Sequence, residues 1–270
     1  MDLGGADVLL VGEGYVARAL RPLLEARGAR VRATGRAGPM ALGAPAMRDA
    51  FGRASHVLVS VPPNEGGDPV LAGLWGQATR AVWIGYLSAT SVYGDRAGGW
   101  AFEGEAPTPG LARGRRRSDA EAQWLARYPQ THLFRLAGIY GPGRSPFARL
   151  RAGSARVVEL PGHVVNRIHV EDAARALCLS AQSPCPGEVL NLADGRPAAP
   201  GEVLDHAAAL IGVPHAPRVA LHSPDVSPMA RSFYRECKRV SAARARERLG
   251  WTPRFADYRA GLAAVLAAEA

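Results

Sequence analysis

Apolar positions along this chain fall into short unbroken runs separated by amphipathic stretches. Val8-Leu9-Leu10-Val11 is the first run, and Arg18 to Arg27 behind it reads as a helix closed by Gly28. Val31 to Thr34, Val57 to Val61, Ala81 to Leu87, His132 to Leu136 and Glu188 to Leu192 are further strand-like runs. Helices are expected over Pro69 to Arg80, Ser118 to Arg127, Glu171 to Ser180 and Pro200 to Ile211, the last with proline near its first position, where the missing N–H is an orphan anyway. A strand covered on both faces is apolar throughout. Strands that alternate with helices build right-handed βαβ units, so the pattern predicts an α/β fold with a doubly wound parallel sheet.

Beyond Gly143 the pattern loosens. Residues 37–54 are rich in Gly, Pro and Ala, and a weak strand is expected there. Val164 to Val170 reads as extended and Val213 to Tyr234 as irregular, and Ser241 is expected to cap a final helix ending at Gly250. The division expected is a large domain over 1–198, with an excursion at 144–168, and a small lobe over 199–270. Such a lobe would cover the carboxyl ends of the strands, where ligands sit in open α/β sheets.

The end of the first run carries the strongest chemical signal. Gly12-Glu13-Gly14-Tyr15-Val16-Ala17 is a Gly-x-Gly-x-x-Ala turn between strand and helix. Glycines permit the sharp turn, and free N–H groups with the positive end of the helix dipole meet where a pyrophosphate can rest. Ala17 takes the place of the third glycine as a close helix–sheet contact. In this context the motif is the dinucleotide fingerprint of Rossmann domains. NAD recognition needs a carboxylate near the end of the second strand, and the chain offers Thr34-Gly35-Arg36 there. A guanidinium suits a 2′-phosphate, so Arg36 favours NADP, with NAD the alternative.

Composition sharpens the picture by exclusion. The chain has 270 residues, 47% hydrophobic and 21% charged, as in ordinary globular protein. No apolar run approaches a membrane span, and no basic-then-apolar leader opens the sequence, so a cytoplasmic protein without membrane contact is expected. Cys178, Cys185 and Cys237 have neither disulfide nor zinc spacing. The net charge of +9 is carried by arginine, because Lys238 is the only lysine. The arginines are scattered without a recognition motif, which argues against nucleic acid. No Ser–His–Asp set or metal-spaced cluster stands out. His169, before Glu171-Asp172 at a helix start, reads as structural.

Further blocks follow in order: Tyr86-Leu87-Ser88-Ala89-Thr90-Ser91-Val92-Tyr93-Gly94-Asp95, Arg135 to Gly143, Arg167-Ile168-His169-Val170-Glu171-Asp172, Asn191-Leu192-Ala193-Asp194 and Leu249-Gly250-Trp251-Thr252-Pro253. Together they resemble the extended short-chain dehydrogenase/reductases, the family of sugar-nucleotide epimerases, dehydratases and related reductases. The resemblance runs from the first strand to about Leu262. It implies a dinucleotide lined also by Ser60, Val61 and Pro62, by Leu87, and by Gly138 and Ile139. Tyr140, Arg167, Tyr234 and Lys238 are expected to face a small polar substrate. Relatives often pair as homodimers through two helices, so a homodimer is possible here.

The chain departs from that family at its chemistry. The Tyr-x-x-x-Lys pair falls on Arg113 and Arg117, and the strand-end serine falls on Ala89, between Ser88 and Thr90. This resembles an atypical subgroup labelled NAD-dependent epimerase/dehydratase that lacks the usual pair. Arginine stays charged and cannot relay a proton. Loss of acid–base help costs ~10²–10⁴-fold in rate, so the proton donor has moved or the chemistry has been given up. In the enzyme reading, Ser88 or Thr90 polarises a carbonyl or hydroxyl, Arg113 and Arg117 supply fixed charge, and Tyr93 or Tyr140 is a candidate acid. Tyr234 and Lys238 form the only Tyr-x-x-x-Lys in the chain, on one face if helical. The competing reading is a redox sensor or scaffold that binds dinucleotide without turnover.

Overall fold

The computed structural model describes residues 3–35, 38 and 40–269. Its elements run β1 (Asp7–Val11), α1 (Tyr15–Glu25), β2 (Arg30–Ala33), α2 (Pro45–Arg53), β3 (His56–Val59), α3 (Pro69–Leu74) and β4 (Trp83–Ala89). A 3-10 turn (Thr90–Tyr93) leads to β5 (Trp100–Ala101), α4 (Ala112–Arg127), β6 (Thr131–Leu136), β7 (Gly138–Tyr140), α5 (Phe147–Arg151), β8 (Val157–Val158) and β9 (Arg167–His169). The chain ends with α6 (Val170–Gln182), β10 (Val189–Leu192), α7 (Pro200–Ile211), β11 (Arg218–Val219), α8 (Pro228–Phe233), β12 (Arg239–Val240), α9 (Ala243–Leu249) and α10 (Tyr258–Glu269).

Six strands form one parallel sheet in the order β10-β6-β4-β3-β1-β2. The order reverses between β1 and β3, so the connections leaving those strands part at their carboxyl ends and open a crevice. Alternation along β1 explains the layers. Val8 and Leu10 pack with Val16, Ala17 and Leu20 of α1 and with α6, whereas Leu9 and Val11 pack with Met47 and Phe51 of α2, Leu74 of α3 and Trp124 of α4. Ala17 is fully buried in the first of these cores, as a close helix–sheet contact requires.

A second core lies outside the sheet. Tyr140, Phe147, Leu150 and Val157 join Val203, Leu204, Ala207, Tyr258 and Leu262 there. Residues 242–251 do not belong to it: Ala242, Ala245 and Trp251 pack into the core beneath α1 and α6, and the Trp251 indole donates to Asp172 O at 3.1 Å.

Several elements differ from the sequence reading. Residues 45–53 form α2 rather than a strand, with Pro45 in its first turn and Phe51 fully buried. α3 stops at Leu74 because Trp75 takes a left-handed conformation, φ 51°. α4 begins at Ala112, so the arginine run lies inside it. α9 is not the last helix; the alanine-rich α10 follows, its periodicity hidden by small residues. Tyr234 to Lys238 is not helical.

Candidate active site

The crevice between β1 and β3 holds the first cavity. Gly12 leaves β1 with φ +85°, and a Cβ there would lie 2.8 Å from both Ser60 Oγ and Val61 Cγ2. Its N–H donates to Thr34 Oγ1 at 2.8 Å, and Ser60 Oγ donates to its carbonyl at 2.6 Å, so the turn is braced from two strands. Gly14 is the N-cap of α1, where no side chain caps the helix and no acidic residue stands in the first turn. A Cβ on Gly14 would meet nothing nearer than Ser60 Oγ at 3.8 Å. The glycine therefore keeps open a space that the protein does not fill, in front of uncapped N–H groups. That arrangement fits a dinucleotide diphosphate.

This cavity, about 290 Å³, is lined by Gly14, Tyr15, Val16, Ser60, Leu87 and Ile139 among the residues expected from sequence. Ser88, Ala89, Arg117, Leu136, Ala137 and Arg144 also line it. Gly12 and Glu13 shape the turn without lining the cavity, and Glu13 pairs with Arg21 at 2.6 Å. Val61 and Pro62 stand outside it, and Gly138 faces the neighbouring cleft. Arg36 lies outside the described residues. Arg144 was not singled out from sequence; a cation directly after Gly141-Pro142-Gly143 was the available signal. Its guanidinium lies over the Tyr15 ring at 5.1 Å, and Tyr15 donates to Pro142 O at 2.9 Å.

Two catalytic candidates at the end of β4 are committed elsewhere. Ser88 is buried and donates to Glu121 Oε1 at 2.5 Å. Glu121 in turn grips Arg135, with Nη2 at 2.7 Å and Nε at 3.1 Å, both side chains 4% exposed. Tyr93 is fully buried, donates to Asn191 Oδ1 at 2.8 Å and accepts from Arg135 Nη1 at 3.0 Å. Burial raises the Tyr93 pKa and Arg135 only partly offsets this. Burial alone would lower Arg135, but the hydrogen bonds and charge of Glu121 hold it above its ordinary value. The expectation of a proton role for Tyr93 is corrected on this geometry, since its hydroxyl closes an internal network. Ser88 touches the cavity with its proton given to a carboxylate. Thr90 and Ser91, half-buried, line the neighbouring cleft instead.

α4 brings both arginines to the site. Gly114 permits its approach, because a Cβ there would fall 2.5 Å from Ser91 O. Arg117 lines the first cavity and donates to Leu87 O at 2.6 Å; no carboxylate pairs with it among the described residues. Arg113 turns the other way. Its Nη1 donates to Ser232 Oγ at 2.7 Å, Nη2 donates to Ser232 O at 3.1 Å, and the guanidinium lies 4.3 Å from the Phe233 ring centroid.

Behind Ala89, Leu136 and Ala137 opens a cleft of about 510 Å³, lined also by Thr90, Arg113, Arg167, Phe233, Tyr234 and Lys238. Tyr234 and Lys238 thus share a cleft without sharing a helix. Lys238 Nζ lies 3.0 Å from Glu236 Oε2, the two side chains 9% and 5% exposed, and Glu236 Oε1 is buried without a partner among the described residues. His163 lines the same wall against the Tyr234 ring at 5.1 Å, and burial lowers its pKa. Burial also raises Tyr234.

A third cavity of about 290 Å³ continues from the cleft through Arg167, Pro200 and Tyr234. It gathers Arg144, Arg149, Arg156 and Arg167 with Tyr140 and Tyr258. Among the described residues, only Arg156 of these arginines has a carboxylate within 4 Å, Asp225 at 3.8 Å. Arg167 is lowered by desolvation, although Asp194 opposes this. Asp194 itself is pushed up to about 7 by burial. Tyr140 turns its hydroxyl to Asp257 O at 3.4 Å and away from any proton role at the first cavity. His169 caps α6, its Nδ1 accepting from Glu171 N at 3.3 Å, as its sequence position implied. Glu236, His163 and Arg149 were not singled out from sequence, because isolated side chains in irregular segments or in the five-residue α5 carry no periodic signal. Among the described residues no group of acidic, His or Cys side chains could hold a metal, and no helix is long and apolar enough to cross a membrane.

No family model matches the chain. Over 117 residues it is 38% identical to protein YeeZ of Escherichia coli (strain K12), a stretch covering 43% of this chain and 41% of that protein. A conserved protein of unknown function from Silicibacter pomeroyi DSS superposes with a TM-score of 0.88 at 42% identity, over 97% of this chain and 99% of that one. MoeE5, solved with UDP-glucose and NAD, gives 0.79 at 23% identity over 97% of each chain. Human epimerase family protein SDR39U1, solved with NADPH, gives 0.77 at 16% identity over 96% and 98%. The last two likenesses show a shared fold. Fold and paired cavities place the chain in the class of α/β proteins with a doubly wound parallel sheet of the Rossmann type. Within that class, the chain belongs to one family with the Silicibacter pomeroyi protein.

Proposed function

We propose that the chain binds NADP(H), or NAD(H), and acts as an oxidoreductase or epimerase/dehydratase-like enzyme on a small polar substrate carrying an anionic group. One observation carries this reading: the cavity at the α1 N-terminus and the cleft share Ala89, Leu136 and Ala137, so they meet at one wall. Amides of Gly14, Tyr15 and Val16 would hold the diphosphate, with Ser60, Leu87 and Ile139 beside the dinucleotide and the Arg117 charge over it. When bound, the dinucleotide supplies hydride transfer at its nicotinamide.

The rest of the reaction belongs to this chain's own side chains. Arg113 cannot donate a proton at neutral pH. Thr90 and Lys238 are cleft groups that can hold a substrate oxygen, the ammonium doing so beside its partner Glu236. Arg167, whose Nη1 donates to Val165 O at 2.9 Å and Ala198 O at 3.2 Å, has its other donors left for a carboxylate or phosphate, and Arg149 extends the same field.

A second reading is favoured by one set of facts. Ala89, Arg113 and Arg117 replace the family's chemistry, and Ser88 and Tyr93 are locked in the interior. A dinucleotide-binding sensor would need no more. Protein mixed with NADPH deuterated at C4 and a broad pool of carbonyl metabolites separates the two: label in a reduced product supports the enzyme. Tight NADPH binding with no transfer across the pool overturns it in favour of the sensor.

A further inference from the structure

Between Val226 and Glu236, both buried, no residue of the chain is buried. This stretch contains α8, a six-residue helix that contributes nothing to any core and leaves Met229 71% and Phe233 57% exposed. Its own ties are local: Ser227 Oγ accepts from Ala230 N at 3.1 Å, and Arg231 Nη2 donates to Ser223 O at 2.9 Å. Yet Ala230, Phe233 and Tyr234 form one wall of the cleft. Downstream the chain is pinned again, with Cys237 N donating to Asp95 Oδ1 at 2.7 Å. What joins α8 to the large domain is Arg113, through two hydrogen bonds to Ser232 and its face on Phe233.

We infer that α8 is a lid on the cleft and that Arg113 is its latch. Segments without buried apolar contacts open locally at little free-energy cost, and lids over active sites are drawn from such segments. Arginine suits the task because one planar fork holds both the Ser232 hydroxyl and the Ser232 carbonyl while its face stacks on the aromatic ring. Those acceptors are neutral, so the latch is weaker than an ion pair and is reversible. The position that carries a proton donor in the resembled family serves here as a positioning residue, acting on the substrate through Phe233 and Tyr234. The inference rests on the cleft being the substrate site, but its test needs no substrate.

Lys238 gives a local readout, because the sole lysine lies in the same cleft with its side chain 9% exposed and its peptide is resolved from the α-amine that the same reagent modifies. Hydrogen exchange of peptides covering 226–238 is compared in full-length wild type, Arg113→Ala and Arg113→Lys, together with the rate of Lys238 modification by trinitrobenzenesulfonate. The latch requires both to rise at least about tenfold in Arg113→Ala, the lower end of what losing a single charged hydrogen bond gives. Exchange in β4 and α6 stays unchanged, and Arg113→Lys falls between because it keeps one donor and loses the fork. Phe233→Ala should also speed both readouts. Unchanged exchange and labelling in Arg113→Ala overturn the latch, as does acceleration spread equally over the sheet. Failure of label transfer with a working latch would count against the enzyme reading alone.

Discussion

Replacing Glu121 by alanine isolates the internal network that holds the ends of β4 and β6. The substitution removes the only carboxylate paired with Arg135 among the described residues, and the Arg135 side chain is 4% exposed. It also takes the acceptor from Ser88 Oγ. An unpaired buried charge typically costs about 3–5 kcal/mol, because solvation is lost without compensation. At about 2–4 °C per kcal/mol for a chain of this size, the melting temperature should fall by ~6–20 °C. Urea unfolding followed by circular dichroism gives the free energy, and calorimetry gives the temperature. The paired variant Glu121→Leu/Arg135→Met removes both charges and should recover most of the loss, since apolar replacements of buried pairs are often neutral. A loss below about 1 kcal/mol in Glu121→Ala, or a double variant no better than the single, would refute the reasoning.

Gly14→Ala should change the melting temperature by no more than a few degrees, because a Cβ there meets only Ser60 Oγ at 3.8 Å. It should weaken NADPH binding by ~10²–10⁴-fold, the equivalent of about two lost charged hydrogen bonds; isothermal titration with wild-type affinity would count against the diphosphate site. Asp194, raised to about 7 in the fold from an ordinary 3.8, keeps a proton that the unfolded chain has released. Its contribution is full below about pH 4 and fades as pH rises through about 7, at most of order 4 kcal/mol. Asp194→Asn imitates the protonated acid, so urea midpoints measured between about pH 4 and 8 should decline less steeply in the variant than in wild type. Arg36→Ala should raise the NADPH dissociation constant about tenfold and leave NADH unchanged, as fluorescence titration of the two cofactors will report.

What the sequence made legible was what repeats or turns. Apolar runs marked β1, β3 and β4, while β2, β6 and β10 were read despite the polar residues that interrupt them, and Gly12 and Gly14 marked the crevice because only backbone geometry and close approach were at issue. α2 and α10 escaped notice, since alanine and glycine blur the apolar stripe that marks a helix. The cleft was the least legible part. Tyr234, Glu236 and Lys238 come together through a turn, not through helical spacing, and the commitment of Ser88 to Glu121 spans 33 positions. The exchange of tyrosine for Arg113 was visible in the sequence, but its partner Ser232 was not, because contact between α4 and α8 depends on tertiary packing alone.

Arg144 borders both the cavity at the α1 N-terminus and the arginine-lined cavity beyond the cleft. Two ligands that each draw on that one guanidinium are thermodynamically linked. Whatever factor the first imposes on the affinity of the second, the second returns to the first. Order of addition, and the concentration of free anions in the buffer, then become variables that any measurement of cofactor affinity must hold constant.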